Sequence, residues 1–187
     1  MTVTAVDPRT ALILIDLQKG VVSQATAHPT EQIIEQCSLL AASFRQCGLP
    51  VVLVNVLGAA PGRADQKRSV SSLPADYAEI VPALKQQPQD HLVTKRTWGA
   101  FTNTDLHAYL QKQGVTQVVI AGVATSIGVE STARAAHELG YNVTLAVDAM
   151  TDMNADAHYH SVTRIFPRMG ECAHVEEIIV LLQQRRA

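Results

Sequence analysis

Five short apolar runs, set between stretches of helical period, constrain this chain more than any other feature. ALILI at 11 to 15, VVLVNV at 51 to 56, HLVT at 91 to 94, VVIAG at 118 to 122 and VTLAV at 143 to 147 have the length of strands. Residues 29 to 47, 103 to 113, 127 to 139, 155 to 165 and 175 to 184 carry helical periodicity. A strand that is apolar on both faces must be covered on both, and strands that alternate with helices are joined in parallel by crossovers. The pattern predicts an α/β protein: a three-layer α/β/α sandwich around a mainly parallel, doubly wound, Rossmann-like sheet.

Local punctuation agrees with these boundaries. Gly48-Leu49-Pro50, Gly114 and Gly140 each stop a helix just before a strand begins. From 57 to 90 the pattern lapses into Gly, Pro, Ser and charge. That stretch follows the carboxyl end of the second strand, which makes it a long loop on the ligand side. At the C-terminus, Val175, Ile178, Ile179 and Leu182 form one apolar stripe, read as core. No repeat or low-complexity tract interrupts the 187 residues, so residues 1 to 187 are read as one domain.

Composition narrows the partners. Net charge is -2 and the basic residues are scattered apart from a short Gln-Gln-Arg-Arg tail, so no footprint for nucleic acid or an anionic membrane is present. The apolar runs fall far below the roughly 20 residues of a membrane span. MTVTAVDPRT lacks a basic segment followed by an apolar one, so no signal peptide is expected and the protein is placed in the cytoplasm. Cys37, Cys47 and Cys172 are widely spaced and odd in number, read as reduced thiols. The partner left over is a small molecule.

In doubly wound sheets ligands bind outside the carboxyl ends of the strands. The first strand ends at Asp16, the third at Lys95, and the fourth runs through Val123 to Gly128 into a helix. Asp16 after an apolar run is either a helix cap or a partly buried functional carboxyl. Lys95 alone reads as a solvated lysine, and gains meaning only with the other two. Thr125 or Ser126 can cap the helix, whose first N–H groups favour an anion.

Three blocks carry a resemblance: IDLQ at 15 to 18, TKRTWGAFTNTDL at 94 to 106 and AGVATSIGVESTARAAHELG at 121 to 140. In order and spacing they resemble the signature blocks of the isochorismatase-like hydrolases, the cysteine hydrolase superfamily, and the strand and helix pattern matches that fold over nearly the whole chain. The phrase IGVESTAR resembles a YecD-like subgroup. The family's aspartate falls on Asp16, its lysine on Lys95 and its nucleophilic cysteine on Gly128, so the thiol that forms an acyl-enzyme is absent. Cys172 matches no motif position and is read as structural.

Some isochorismatases of the family also lack the cysteine; they hydrolyse a vinyl ether and release pyruvate from a cyclic carboxylic acid, with the aspartate supplying a proton. By resemblance Asp16 is that acid/base group. A carboxyl that donates near neutral pH wants burial, whereas a cation at Lys95 opposes its protonation. Either a substrate carboxylate neutralises Lys95, or Asp16 is ionised and acts on water. The resemblance also implies a cis peptide between Val123 and Ala124, and a homo-oligomer, a dimer or tetramer.

Val123, Ala124 and Ile127 of the turn are then offered to the substrate. Trp98 and Phe101 either wall an apolar pocket or belong to core or subunit contacts. Arg63 and Arg68 either clamp a carboxylate or are solvated. Nicotinamidases of the family hold a metal with an Asp and His residues near the second strand, where VNVLGAA has none, and His158, His160 and His174 lack ligand spacing. No metal and no cofactor are expected.

Two rivals stand beside this reading. Ala124-Thr125-Ser126-Ile127-Gly128 is a variant of the G-x-S-x-G elbow, with Asp148 or Asp152 and His158 or His160 following in triad order. The other is a scaffold that has lost its cysteine and binds a small acid or serves as an assembly subunit.

Overall fold

The computed structural model describes residues 3–24, 26–66 and 73–184. The strands are β1 (Thr10–Ile15), β2 (Val51–Val56), β3 (His91–Lys95), β4 (Gln117–Val123), β5 (Asn142–Thr151) and β6 (Glu171–Ala173). The helices are α1 (Lys19–Val22), α2 (Thr30–Gln46), α3 (Leu106–Lys112), α4 (Glu130–Glu138), α5 (Ala155–His160) and α6 (Val175–Gln184). All strand pairs are parallel and the sheet order is β3-β2-β1-β4-β5-β6. That is the doubly wound arrangement, and its order reverses between β1 and β4.

Alternation along β1 explains the layers. Leu12 and Leu14 point into one core with Leu40 and Phe44 of α2 and Ile178 and Leu182 of α6. Ala11, Ile13 and Ile15 point into the other with Leu106 of α3 and Ala133 and Ala136 of α4. Burying one such Leu or Ile side chain fully is worth about 1.5–3 kcal/mol, so a strand buried at every position is committed to the middle of the sheet. The α6 stripe is core at Val175, Ile178 and Leu182, with Ile179 half-buried. Among the described residues no helix is long and apolar enough to cross a membrane.

Several elements differ from the sequence pattern. β3 is an edge strand with Leu92 and Thr94 exposed, so it is not apolar on both faces. β6 is a three-residue strand, too short to leave a periodic signal. β5 runs further than VTLAV, and its pairing to β4 slips between Ile120 and Gly122. The helix expected from 127 begins as a π-helical turn, Thr125–Val129, and α5 passes into a second one, Ser161–Ile165. Described residues of the 57–90 stretch are held by packing: Tyr77 and Val81 are buried, and Ile80 forms an antiparallel bridge with Gln18. The helix-stop glycines do take left-handed backbone, with φ of 66° at Gly48, 65° at Gly114 and 85° at Gly140.

Candidate active site

Register brings the carboxyl ends of the central strands level. Ile15 pairs with Val54 on one side and Gly122 on the other, and Val56 pairs with Lys95. Asp16, the residue after β1, has φ 51°, a left-handed conformation that aspartate tolerates better than most side chains. Its backbone N–H donates to Val54 O at 2.9 Å, which fixes the turn. Lys95 Nζ donates to Asp16 Oδ2 at 2.7 Å and to Thr97 O at 3.3 Å. Asp16 is 6% exposed and Lys95 2%, so the two charges form a buried pair.

The pair lies on the wall of a cavity of about 450 Å³. Val123, Ala124, Ile127 and Gly128 line it, as do Trp98, which is 65% exposed, and Met153. The peptide between Val123 and Ala124 is cis. Gly122 has φ 118° and sits against the Ile15 backbone so closely that a Cβ there would collide with Ile15 O. A Cβ at Gly128 would lie 2.9 Å from Ile15 Cγ2, 3.4 Å from Asp16 Oδ2 and 3.5 Å from Val123 O.

The donors of the turn face mostly inward. Ser126 N and Ser126 Oγ both donate to Asp152 Oδ2 at 2.7 Å, and Ile127 N and Val129 N both donate to Ala124 O at 3.1 Å. These N–H groups, expected from the sequence to await an anion, are occupied by the protein. Neither Thr125 nor Ser126 caps the helix with its side chain. Thr125 Oγ1 instead meets His158 Nδ1 at 2.8 Å. Gly128 O accepts from Thr132 Oγ1 at 2.7 Å, and Thr132 Oγ1 accepts from Ala100 N at 3.1 Å, which links the turn to the segment after β3.

A matching family model covers residues 10–177 and describes an isochorismatase domain. The chain belongs to the isochorismatase family. YecD of Escherichia coli O157:H7, an isochorismatase family protein, is 39% identical over 177 residues, which is 91% of this chain and 94% of YecD. YwoC of Bacillus subtilis (strain 168), of the same family, is 39% identical over 178 residues, covering 91% and 93%. An isochorismatase family protein from Burkholderia thailandensis has a TM-score of 0.92 and 37% identity, covering 96% of this chain and 98% of its own. The α/β architecture expected of an isochorismatase-like hydrolase is thus the one this chain adopts.

Not every residue singled out in the sequence reaches the isochorismatase-domain cavity. Phe101 is off it, packed beside Tyr141 with ring centroids 6.1 Å apart. After Lys95 the chain bends through 96–99, and Phe101 beyond the bend packs against the core that holds Leu106 and Tyr141. Arg63 is exposed and is not among the lining residues, while Arg68 lies outside the described residues.

The serine-triad arrangement does not form. Ser126 Oγ bonds Asp152 directly, and among the described residues no histidine bonds it; His158 bonds Thr125 instead. Asp148 accepts from Val175 N at the start of α6, and His160 is exposed. Cys37 is buried with its thiol on Ala149 O, and burial pushes its ionisation well above the usual thiol range; Cys172 packs in β6. No cysteine lines the cavity among the described residues. No group of three or more His, Cys, Asp or Glu among those residues is placed to hold a metal ion.

Sequence reasoning passed over Gln18. Its buried amide accepts from Val56 N at 2.6 Å and donates to Val56 O at 3.1 Å and Tyr77 O at 3.0 Å. It thereby ties the end of β2 to the loop that carries Tyr77 onto the cavity wall. Gly20 belongs to the same junction, since a Cβ there would enter the Tyr77 ring. A glutamine two residues after Asp16 was the available signal, hidden because its partners are backbone groups distant in sequence.

Proposed function

We propose that this chain is a hydrolase of the isochorismatase type that works without a covalent nucleophile, with Asp16 as its general acid/base and Gly128 at the position a nucleophile would hold. The observation that carries the reading is the Asp16–Lys95 contact of 2.7 Å on the wall of the cavity, with the Cβ direction of Gly128 3.4 Å from the same carboxylate oxygen. The substrate class is a small carboxylate-bearing vinyl ether. In its hydrolysis the enol-ether carbon takes a proton, water adds to the oxocarbenium ion, and the hemiketal expels an alcohol to leave a ketone. Asp16 hands over the first proton and recovers one from the attacking water, so it ends the cycle as it began. Proton transfer from a positioned group contributes on the order of 10²–10⁴-fold.

Lys95 fits this cycle. An ammonium has three N–H donors, and two are engaged by Asp16 and Thr97. A substrate carboxylate beside Lys95 takes up the cation's charge while Asp16 carries its proton. The test is pyruvate release from isochorismate and simpler enolpyruvyl ethers. Turnover that disappears in Asp16→Asn supports the reading; no turnover above that variant for any vinyl ether removes it.

A second reading, a non-catalytic binder of small acids, is favoured by one observation. Asp16 Oδ2 already accepts from Lys95 Nζ at 2.7 Å as a buried ion pair, a form in which the carboxylate has no proton to give an enol ether. Saturable binding of isochorismate without turnover is its signature.

A further inference from the structure

The cavity wall made by the 124–128 turn is braced from behind by contacts that the proposed chemistry does not use. Thr125, fully buried, meets His158 Nδ1 of α5 at 2.8 Å. The His158 ring meets the His28 ring edge-on, with centroids 4.6 Å apart. His28 is tied in turn to the end of β5: its Nδ1 lies 3.0 Å from Thr151 Oγ1, and its backbone N–H donates to the same oxygen at 3.2 Å. One residue further on, Asp152 holds Ser126 through both N–H and O–H, and its carbonyl accepts from Ala27 N at 2.8 Å. Four segments distant in sequence therefore converge on two imidazoles behind the wall.

We propose that His158 is a positioning residue for this wall, and that the His28–His158 pair loosens the turn when both rings are protonated. The proposal rests on the geometry of the turn and stands whether or not the vinyl-ether reading holds. A single protonation is tolerated, because a threonine hydroxyl rotates to accept as readily as it donates. Two protonations set like charges with ring centroids 4.6 Å apart, and each ring has one threonine contact, His28 with Thr151 at the strand end and His158 with Thr125 in the turn; the His28 backbone N–H also donates to Thr151 Oγ1. A His158 ring pushed off Thr125 releases the cavity wall.

Neighbouring charges offset this repulsion only in part, since Asp152 acts against both burial and His28 at His158. Asp152 is the counter-charge acting on His158, and its oxygens also accept from Ser126 and from Asn154 N. Glu130 at the start of α4 is taken by Ser161 Oγ at 2.6 Å and Arg134 at 2.8 Å. Asp156 and His160 of α5 are exposed, and Glu35 and Asp148 share a surface groove with His28. Burial pushes the His158 imidazole below its ordinary value of 6.5, His28 pushes it the same way, and Asp152 opposes them. A depressed histidine contributes stability above its ordinary value and loses it as pH falls, so the loosening belongs on the acid side of 6.5.

Two measurements read the wall without a substrate: hydrogen exchange of the 124–129 backbone, corrected for the intrinsic pH effect, and the emission of Trp98, the single tryptophan, which lines the same cavity. Between about pH 7.5 and about pH 5, exchange of the turn is expected to accelerate on the order of tenfold, with a parallel change in Trp98 emission. His158→Gln keeps a hydrogen-bonding group for Thr125 without a charge, and His28→Gln alters an exposed side chain. Both are expected to lose the acid transition, whereas His158→Ala exchanges fast at either pH. A wild-type chain with no acid transition, or a transition that survives in either Gln variant, overturns the proposal.

Discussion

Lys95 reaches over the end of β2 to donate to Asp16 at 2.7 Å, joining two strands that do not touch in the sheet. Both residues are buried, and they form an ion pair with each other. Removing one partner of such a pair costs about 3–5 kcal/mol, because the remaining charge is stranded. Asp16→Asn and Lys95→Met are each expected to show that loss in urea unfolding. The double variant should lose much less than the sum, and additive losses would contradict a coupled pair.

Gly128 is held small by Ile15. The 2.9 Å approach of its Cβ direction to Ile15 Cγ2 means that Gly128→Ala overpacks a buried, branched side chain. The expected loss is about 1–3 kcal/mol, reduced somewhat by the better helix propensity of alanine. In an Ile15→Ala background the same substitution should cost less, since the obstructing methyl is gone. A thermal-unfolding cycle of the four proteins measures the coupling.

Ser126 anchors the turn to Asp152, and among the described residues no histidine bonds its hydroxyl. A fluorophosphonate probe is therefore expected to leave it unlabelled. Ser126→Ala should still lower stability by about 1.5–3 kcal/mol, the worth of a hydrogen bond to a charged acceptor, while Asp152 keeps its bond from Ser126 N. Mass-spectrometric detection of the probe on Ser126 would restore the serine-hydrolase reading.

Gln18→Leu should do more damage than its volume suggests. The amide is the partner of Val56 N and Val56 O, and each buried backbone group left without a partner costs about 1–3 kcal/mol, while Tyr77 O keeps its bond from Gly20 N. The segment around Tyr77 should become the first site of cleavage in limited proteolysis. Unchanged cleavage there would show that Gly20 and the Ile80 bridge hold the segment by themselves.

The doubly wound sheet was legible in the apolar runs because a strand buried on both faces has almost no freedom in its composition. Thr10–Ile15 and Gln117–Val123 are buried at every position, and both were visible as runs. What escaped were elements whose residues answer to neighbours instead of to a period. Glu171–Ala173 is a strand because Thr144, Leu145 and Ala146 offer it an edge. The π-helical turn at Thr125–Val129 has a helix's composition, and its wider pitch is visible only in the coordinates.

The site divides in the same way. By itself the sequence determined which groups arrive at the carboxyl edge: a carboxylate after β1, an ammonium at the end of β3 and a turn without a thiol after β4. Side-chain direction and competition for hydrogen bonds were decided by the tertiary structure alone. It took Phe101 and Arg63 away from the cavity lining, gave Ser126 to Asp152, and made Gln18 a junction. The physical reason is range: strand burial is set by adjacent residues of one segment, whereas a buried polar atom takes whichever partner packing brings within about 3 Å, wherever in the chain that partner stands.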